Sequence, residues 1–398
     1  MKNLRLVLPF LLVLIAIFFT SCEDSYVNVP SQDELLDGPI DGLTTAESAR
    51  FLKGDAAFAE VFTRETGLGS TFVATSCVSC HAGDGKGHPF TTLVRFGQAD
   101  ENGNTFLHLG GPQLQNRALP GFMPEQIPAG ATFAKFTPPS NTGLGFIQYV
   151  TDADILAMAD PNDANDDGIS GVPNWVSMPS YIDDTGAISQ GGKYIGRFGK
   201  KGAAFNLLHQ TVNAYNQDIG ITSLYNPIDA YTNEEIDPEI GTSTVNDVVF
   251  YLKTLKAPIQ RNKNDAVVAQ GKILFNQINC VGCHKSELKT GYSPINALSN
   301  KTFSPYTDLL LHDMGSGLDD GYTEGIAKTY EWKTPALWGL GLSEKAQGGA
   351  YFLMHDGRAM SIEQAISMHG GEASNSRAAF NNLSQDERNA VIKFLKSL

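Results

Sequence analysis

Two stretches decide how this chain is read: Cys77-Val78-Ser79-Cys80-His81 and Cys280-Val281-Gly282-Cys283-His284. Two thiols three positions apart can add to the two vinyl groups of one haem, and the adjacent histidine then reaches the iron. The expectation is two covalently bound haems c. Cys77 and Cys80 hold the first, with His81 as proximal ligand. Cys280 and Cys283 hold the second, with His284 in that role. A zinc or redox CxxC with an incidental histidine is the rival, and the export signal and internal duplication below argue against it.

The sequence has five cysteines. Four are committed to these motifs and the fifth is Cys22, so no disulfide is expected. Lys2 and Arg5 open a leader whose residues 6–19 are apolar, and Phe19-Thr20-Ser21-Cys22 closes it. Residues 1–21 therefore read as a signal peptide. Cys22 reads as the lipidated first residue of the mature chain, with a plain signal or an uncleaved anchor as alternatives. Residues 22–45, polar with scattered Pro and Gly, read as a lipid-anchored tether. The expected location is the periplasm or cell surface of a bacterium, held to the membrane by the acyl anchor.

The formal net charge is −14, and removing the leader with Lys2 and Arg5 makes it more negative. A field of that sign excludes nucleic acid as a partner and suits a cationic redox partner such as a small cytochrome. At 398 residues, 42% hydrophobic and 18% charged, the chain has the composition of a globular protein with more than one domain.

Working outward from the two motifs, each is followed at a distance by the same closing pattern. Tyr251-Leu252-Lys253-Thr254-Leu255 matches Phe394-Leu395-Lys396-Ser397-Leu398. Both are apolar stripes at helical spacing. The first is stopped by Pro258, and the second opens on a Ser384/Glu387 capping box. Val267 to Gln277 reads as a helix leading into the second motif. The fold class expected is mainly α: two cytochrome c-like haem domains, 46–258 and 266–398, whose first and last helices cross beside the haem. The interval from His81 to Leu255 far exceeds that from His284 to Leu398. The excess, rich in Gly, Pro and Asn, reads as long loop insertions in the first domain, with few strands beyond short hairpins.

Longer motifs surround these elements. The second half carries Lys333-Thr334-Pro335-Ala336-Leu337-Trp338-Gly339-Leu340-Gly341-Leu342, then His355-Asp356-Gly357-Arg358-Ala359, then Glu363-Gln364-Ala365-Ile366-Ser367-Met368-His369-Gly370-Gly371-Glu372-Ala373. Upstream stand Pro305-Tyr306-Thr307-Asp308-Leu309-Leu310-Leu311-His312-Asp313-Met314-Gly315, Gly196-Arg197-Phe198-Gly199 and Asp218-Ile219-Gly220-Ile221-Thr222-Ser223. Together they resemble the di-haem oxidoreductase family, whose members are called peroxidases and also labelled thiol oxidoreductases. That family is similar to bacterial di-haem cytochrome c peroxidases and to the di-haem enzyme that matures a tryptophan tryptophylquinone. In those relatives a His-Asp/Ser-Gly motif and a following helix precede the distal ligand of the second haem, usually Met. The resemblance places His369 at that position, with Met368 as rival. A histidine there lowers the reduction potential relative to a thioether.

The distal side of the first haem stays open. His88, His108, His209, Met123 and Met158 are candidates, and so is an unfilled position. The peroxidases' distal glutamine and glutamate are not recognisable. Gln113 and Gln115 either line the pocket or pack a loop. Trp175, Trp332 and Trp338 are core residues or, as the resemblance suggests for one of them, an electron relay. The resemblance implies an enzyme in which electrons pass from the second haem to the first, where peroxide or another oxidant is reduced. The alternative is a non-enzymatic electron-transfer cytochrome. No cysteine is left to support a thiol oxidoreductase.

Asp163-Ala164-Asn165-Asp166-Asp167-Gly168-Ile169 has the alternation of oxygen-bearing side chains found in calcium loops. Asp163, Asn165 and Asp167 would offer side-chain oxygens, Ile169 its carbonyl, and Gly168 the turn. Asn174 stands where the closing Glu is usual, so a further carboxylate, such as Asp160, is needed. An Asp/Asn-rich turn without an ion is the alternative.

Overall fold

The computed structural model describes residues 31–81, 87–97, 104–183 and 186–398. The leader and Cys22 lie outside the described residues. Residues 36–398 cluster as one compact unit. Among the described residues, no helix is long and apolar enough to cross a membrane.

Ten α-helices are present among the described residues. The first five are α1 (Thr45–Ala59), α2 (Leu144–Gln148), α3 (Asp152–Met158), α4 (Leu207–Ala214) and α5 (Thr242–Thr254). They are followed by α6 (Ala266–Gln277), α7 (Ser343–Ala346), α8 (Ile362–Ser367), α9 (Ser374–Asn382) and α10 (Gln385–Ser397). The connecting segments hold short antiparallel ladders. These pair β1 (Thr71–Phe72) with β3 (Arg117–Ala118) and β2 (Leu93–Phe96) with β4 (Phe133–Phe136). β7 (Lys193–Ile195) lies between β5 (Trp175–Val176) and β6 (Ser189–Gln190). β8 (Leu288–Lys289) pairs with β9 (Thr302–Phe303), and β10 (Leu311–Asp313) with β11 (Glu331–Lys333). Helix makes up 36% and strand 12%, so the chain is mixed rather than mainly α. The physical reason is backbone satisfaction. Long insertions that run across a core must pair their N–H and C=O groups, and two-residue ladders do so locally.

The expected helices are in place. α6 begins on Asp265, whose side chain accepts from Val267 and Val268 N–H. α10 begins on the Ser384/Glu387 capping box, and α5 ends at Thr254, ahead of Pro258. α1 has its own box, Thr44 with Glu47.

α1 crosses α5, and α6 crosses α10. Each crossing turns on a glycine. A methyl at Gly54 would overlap the Asp247 carbonyl and the Tyr251 side chain. A methyl at Gly271 would overlap the Ala390 carbonyl and the Phe394 side chain. Tyr251 and Phe394 are the matching positions of the two closing helices. The partner rings match as well. Phe58 lies 5.3 Å from Tyr251 and Phe275 lies 5.4 Å from Phe394, centroid to centroid. Four residues after each glycine, on the same helix face, a phenylalanine therefore meets the closing helix.

A third matched element follows. Pro139-Ser140-Asn141-Thr142-Gly143-Leu144-Gly145 and Pro335-Ala336-Leu337-Trp338-Gly339-Leu340-Gly341 each place a left-handed glycine at the start of a short helical turn. Gly145 then packs on the Lys253 carbonyl, and Gly341 on that of Lys396.

The hydrophobic core around α1 and α5 also takes Leu288, Leu298, Phe303 and Leu310 from beyond α6. A second core gathers around α6 and α10, with Tyr306, Tyr351, Ile362 and Phe380. Residues 288–310 thus contribute to both cores.

Candidate functional site

Each CxxCH segment forms one tight turn. At the first, Cys77–Ser79 is a 3-10 turn capped by the Ser76 hydroxyl, and the His81 N–H donates to the Cys77 carbonyl at 3.0 Å. At the second, Cys280–Gly282 is also a 3-10 turn, entered from a left-handed Asn279 without a side-chain cap, with His284 N–H to Cys280 carbonyl at 2.9 Å. The turn brings the two sulfurs of each motif close enough to act electrostatically on one another. His81 lies 6.1 Å from the Phe58 ring, and His284 lies 6.4 Å from the Phe275 ring. The two motifs thus stand in the same relation to their helix crossings.

Burial pushes the Cys77 thiol up to about 12, with the Asp218 carboxylate adding to it. The same two causes push Cys80 up to about 11. Burial pushes Cys280 up to about 12. All four cysteines are nevertheless only partly buried and unpaired. Two unpaired thiols and an imidazole within one turn are a donor set that fits a haem.

At the second motif, the His284 Nδ1 pairs with the Tyr306 carbonyl at 2.9 Å. That bond fixes the tautomer and leaves Nε2 able to act as a ligand. Burial lowers His284 to about 4. His369, at the end of α8, is arranged in the same way. Its Nδ1 pairs with the Ala365 carbonyl at 2.8 Å, and burial holds it below the usual histidine range. His369 is also close enough to act electrostatically on His284. Two neutral imidazoles with free Nε2 atoms are thus brought to one region. Met368 caps α8 beside them.

The candidates around the first motif separate. Met123 is 74% exposed and His108 is exposed, so neither belongs to a buried cleft. His88 accepts from the Phe90 N–H at 3.1 Å and packs edge-on against Phe352. His209 is buried, accepts from the Phe205 N–H at 3.2 Å and is lowered to about 4 by burial. Met158 packs against the first core. Gln115 is buried and bonds Thr71 and the carbonyls of Asn216 and Gln217. Gln113 donates to the Val94 carbonyl.

Gln115 thereby braces a π-helical turn, Tyr215–Ile219, that sequence reasoning did not find. Such turns are frequent at functional sites. This one presents Asp218 to Cys77 and Cys80. Burial raises the Asp218 carboxyl to about 7, against the opposing pull of Arg95. Arg95 pairs with Glu324 at 2.6 Å and donates to Tyr322 and Gln217. Burial disfavours its charge, but Glu324 and Tyr322 outweigh that and keep it protonated.

Of the three tryptophans, Trp338 is in the first core and Trp175 packs against it. Trp332 differs. It stacks on His355 at 3.7 Å, carries the Lys201 ammonium 3.9 Å from its ring centroid, and donates Nε1–H to the Leu318 carbonyl.

In the loop 160–171, Asp163 and Asp166 have left-handed backbones, as does Gly168. The side-chain oxygens of Asp163, Asn165 and Asp167 accept from N–H groups of residues 167–169, and Asp160 from Ala164. Asn174 is turned away. It donates to the carbonyls of Lys201 and Glu324 and accepts from Ile326. Ile169 packs on Gly282 of the second motif, where a side chain would collide with it. Ser170 bonds Glu372 through both its N–H and its hydroxyl.

A family model described as "Di-haem oxidoreductase, putative peroxidase" matches residues 134–398. No curated protein matches the chain. A solved structure of hydrazine synthase from Kuenenia stuttgartiensis, pressurised with 20 bar xenon, covers 94% of this chain and 98% of its own. Its identity is 14% and its TM-score 0.38, too faint a likeness to carry an argument.

Proposed function

The chain belongs to the di-haem oxidoreductase family, and we propose that it is a peroxidase-like enzyme with two covalently held haems c. In this reading Cys77 and Cys80 attach the first, with His81 as proximal ligand. Cys280 and Cys283 would attach the second, and His284 and His369 would ligate its iron. One observation supports it above the rest: both motifs hold unpaired, partly buried cysteines, and each histidine lies beside the phenylalanine of a glycine-centred helix crossing. Bound there, the haems supply one-electron storage and transfer, with peroxide or another oxidant reduced at the first.

The residues around each cleft divide the work. The Tyr306 and Ala365 carbonyls hold His284 and His369 with their Nε2 atoms free. Asp218, titrating near neutrality beside Cys77 and Cys80, holds or releases a proton there, and Arg95 keeps a positive charge facing it. The loop at Asp163, Asn165, Asp167 and Ile169 binds calcium beside the second motif. The leader exports the chain, Cys22 anchors it by lipid, and a small cationic cytochrome donates electrons.

Absorption and EPR spectra of the oxidised and half-reduced protein test this. A high-spin signal that peroxide perturbs is expected. If both irons stay low-spin in every redox state and peroxide changes nothing, the enzyme reading fails and the electron-transfer cytochrome stands.

A further inference from the structure

His312 lies on β10, 3% exposed, paired in register with Trp332 of β11. Both of its ring nitrogens face carboxylates. Nε2 lies 2.9 Å from Asp308 Oδ2, and Nδ1 lies 2.7 Å from Glu372 Oε2. Asp308 is itself 1% exposed and accepts from the Leu310 N–H. Glu372 accepts from the Ser170 N–H, the Ser170 hydroxyl and the Asp313 N–H, and three donors favour its ionised form. An ionised carboxylate only accepts. With a carboxylate oxygen at each ring nitrogen, the geometry suits a ring that carries hydrogen on both, an imidazolium. Burial works against that charge, but the hydrogen bonds to Asp308 and Glu372 oppose it and hold His312 above the usual histidine range.

The cluster does not lie at random. The sulfur of Cys283 and the ligand atoms of Asp308 and His312 all lie within 4.8 Å of one another. His312 and Asp308 both act electrostatically on His284. A buried ion cluster is a poor stabiliser compared with apolar packing of the same volume, so stability does not account for it.

We propose that His312, an imidazolium clamped between Asp308 and Glu372 against the Cys283 sulfur, is the positioning residue that sets the redox poise of the second haem. The inference rests on the haem reading above. A fixed positive charge beside the Cys283 attachment favours the reduced state, which carries one positive charge fewer. It thereby offsets the lowering that histidine ligation at His369 brings. The two carboxylates act in the opposite sense, so the three side chains make a balance whose arms have different signs.

The test is a redox titration of the full-length holoprotein at pH 7, following the low-spin signal of the second haem. Haem attachment is measured first by mass on the denatured protein. At the wild-type midpoint, His312→Gln is expected to raise the ferric-to-ferrous ratio about tenfold, about 59 mV for one electron. Asp308→Asn and Glu372→Gln are expected to lower it. A merely structural role would move all three variants the same way or change the low-spin spectrum. Shifts of one sign, or none, with that spectrum intact overturn the proposal. If His312→Gln does not accumulate, the two carboxylate variants decide, and an unmoved or raised ratio in both overturns it. A chain without haem at Cys280 and Cys283 overturns the function reading itself, and this proposal with it.

Discussion

Gly271→Ala isolates the helix crossing from every other feature of the second cleft. On an isolated helix this change is favourable by about 1 kcal/mol, because alanine loses less backbone entropy than glycine. In this protein the added methyl meets the Ala390 carbonyl and the Phe394 Cβ. Both belong to the backbone or its root, so neither can rotate away. α6 and α10 must separate, and overpacking of that kind costs about 1–3 kcal/mol, toward the upper end when backbone has to move. The net expectation is a loss of about 2 kcal/mol, opposite in sign to the propensity effect. Chemical denaturation followed by circular dichroism measures it. Gly54→Ala should behave alike at the other crossing, where the Asp247 carbonyl takes the place of Ala390. A Gly271→Ala protein as stable as wild type, or more so, would refute the crossing as the element that fixes Phe275 against His284.

Asp152→Ala removes one half of a buried ion pair with Arg197 and leaves that guanidinium uncompensated; the expected loss is about 3–5 kcal/mol, read from the denaturation midpoint. His369→Ala should turn the second haem high-spin or shift it to Met368 ligation, and an unchanged bis-histidine EPR signal would remove His369 from the ligand set. The Asp218 carboxyl is raised above its usual value in the folded protein. Its contribution to stability is thus present below the unfolded value near 3.8 and is lost as pH rises through about 7. Asp218→Asn should flatten the stability profile between those limits and raise stability at pH 8, and parallel profiles for the two proteins would contradict this. Calcium should raise the melting temperature of the wild type and leave Asp163→Asn with Asp167→Asn unmoved, by about 2.7 kcal/mol at a hundredfold excess over its dissociation constant.

What could be read from residue order was whatever the chain keeps local. The CxxCH turns, the Ser384/Glu387 box and the stripe of α10 are complete within a few residues, and all three stand in the structure. The matched closing helices were legible too. Their glycine partners, Gly54 and Gly271, were not, because a small residue in a helix says nothing until the helix it touches is known. The repeat of Gly143-Leu144-Gly145 in Gly339-Leu340-Gly341 becomes meaningful in the same way, once Lys253 and Lys396 are seen to accept the second glycine of each.

The polar clusters escape for a different reason. His312 meets Glu372 across 60 positions of sequence, and Arg95 meets Glu324 across more than two hundred. Asp308, Glu324 and Glu372 sit outside the strands and α-helices, and His312 and Arg95 on strands of three and four residues, too short for a period to betray their direction. Asn174 shows the consequence most clearly. In order along the chain it occupies the closing position of a calcium loop, yet in space it is spent on Lys201, Glu324 and Ile326. The carboxylate that does reach the loop is Glu372, which follows His369 and binds Ser170. One side chain therefore joins the loop, the His312 cation and the segment that carries the candidate distal ligand. A change at any one of these three must strain or release the other two, which makes Glu372 the position where calcium and redox poise would first be felt together.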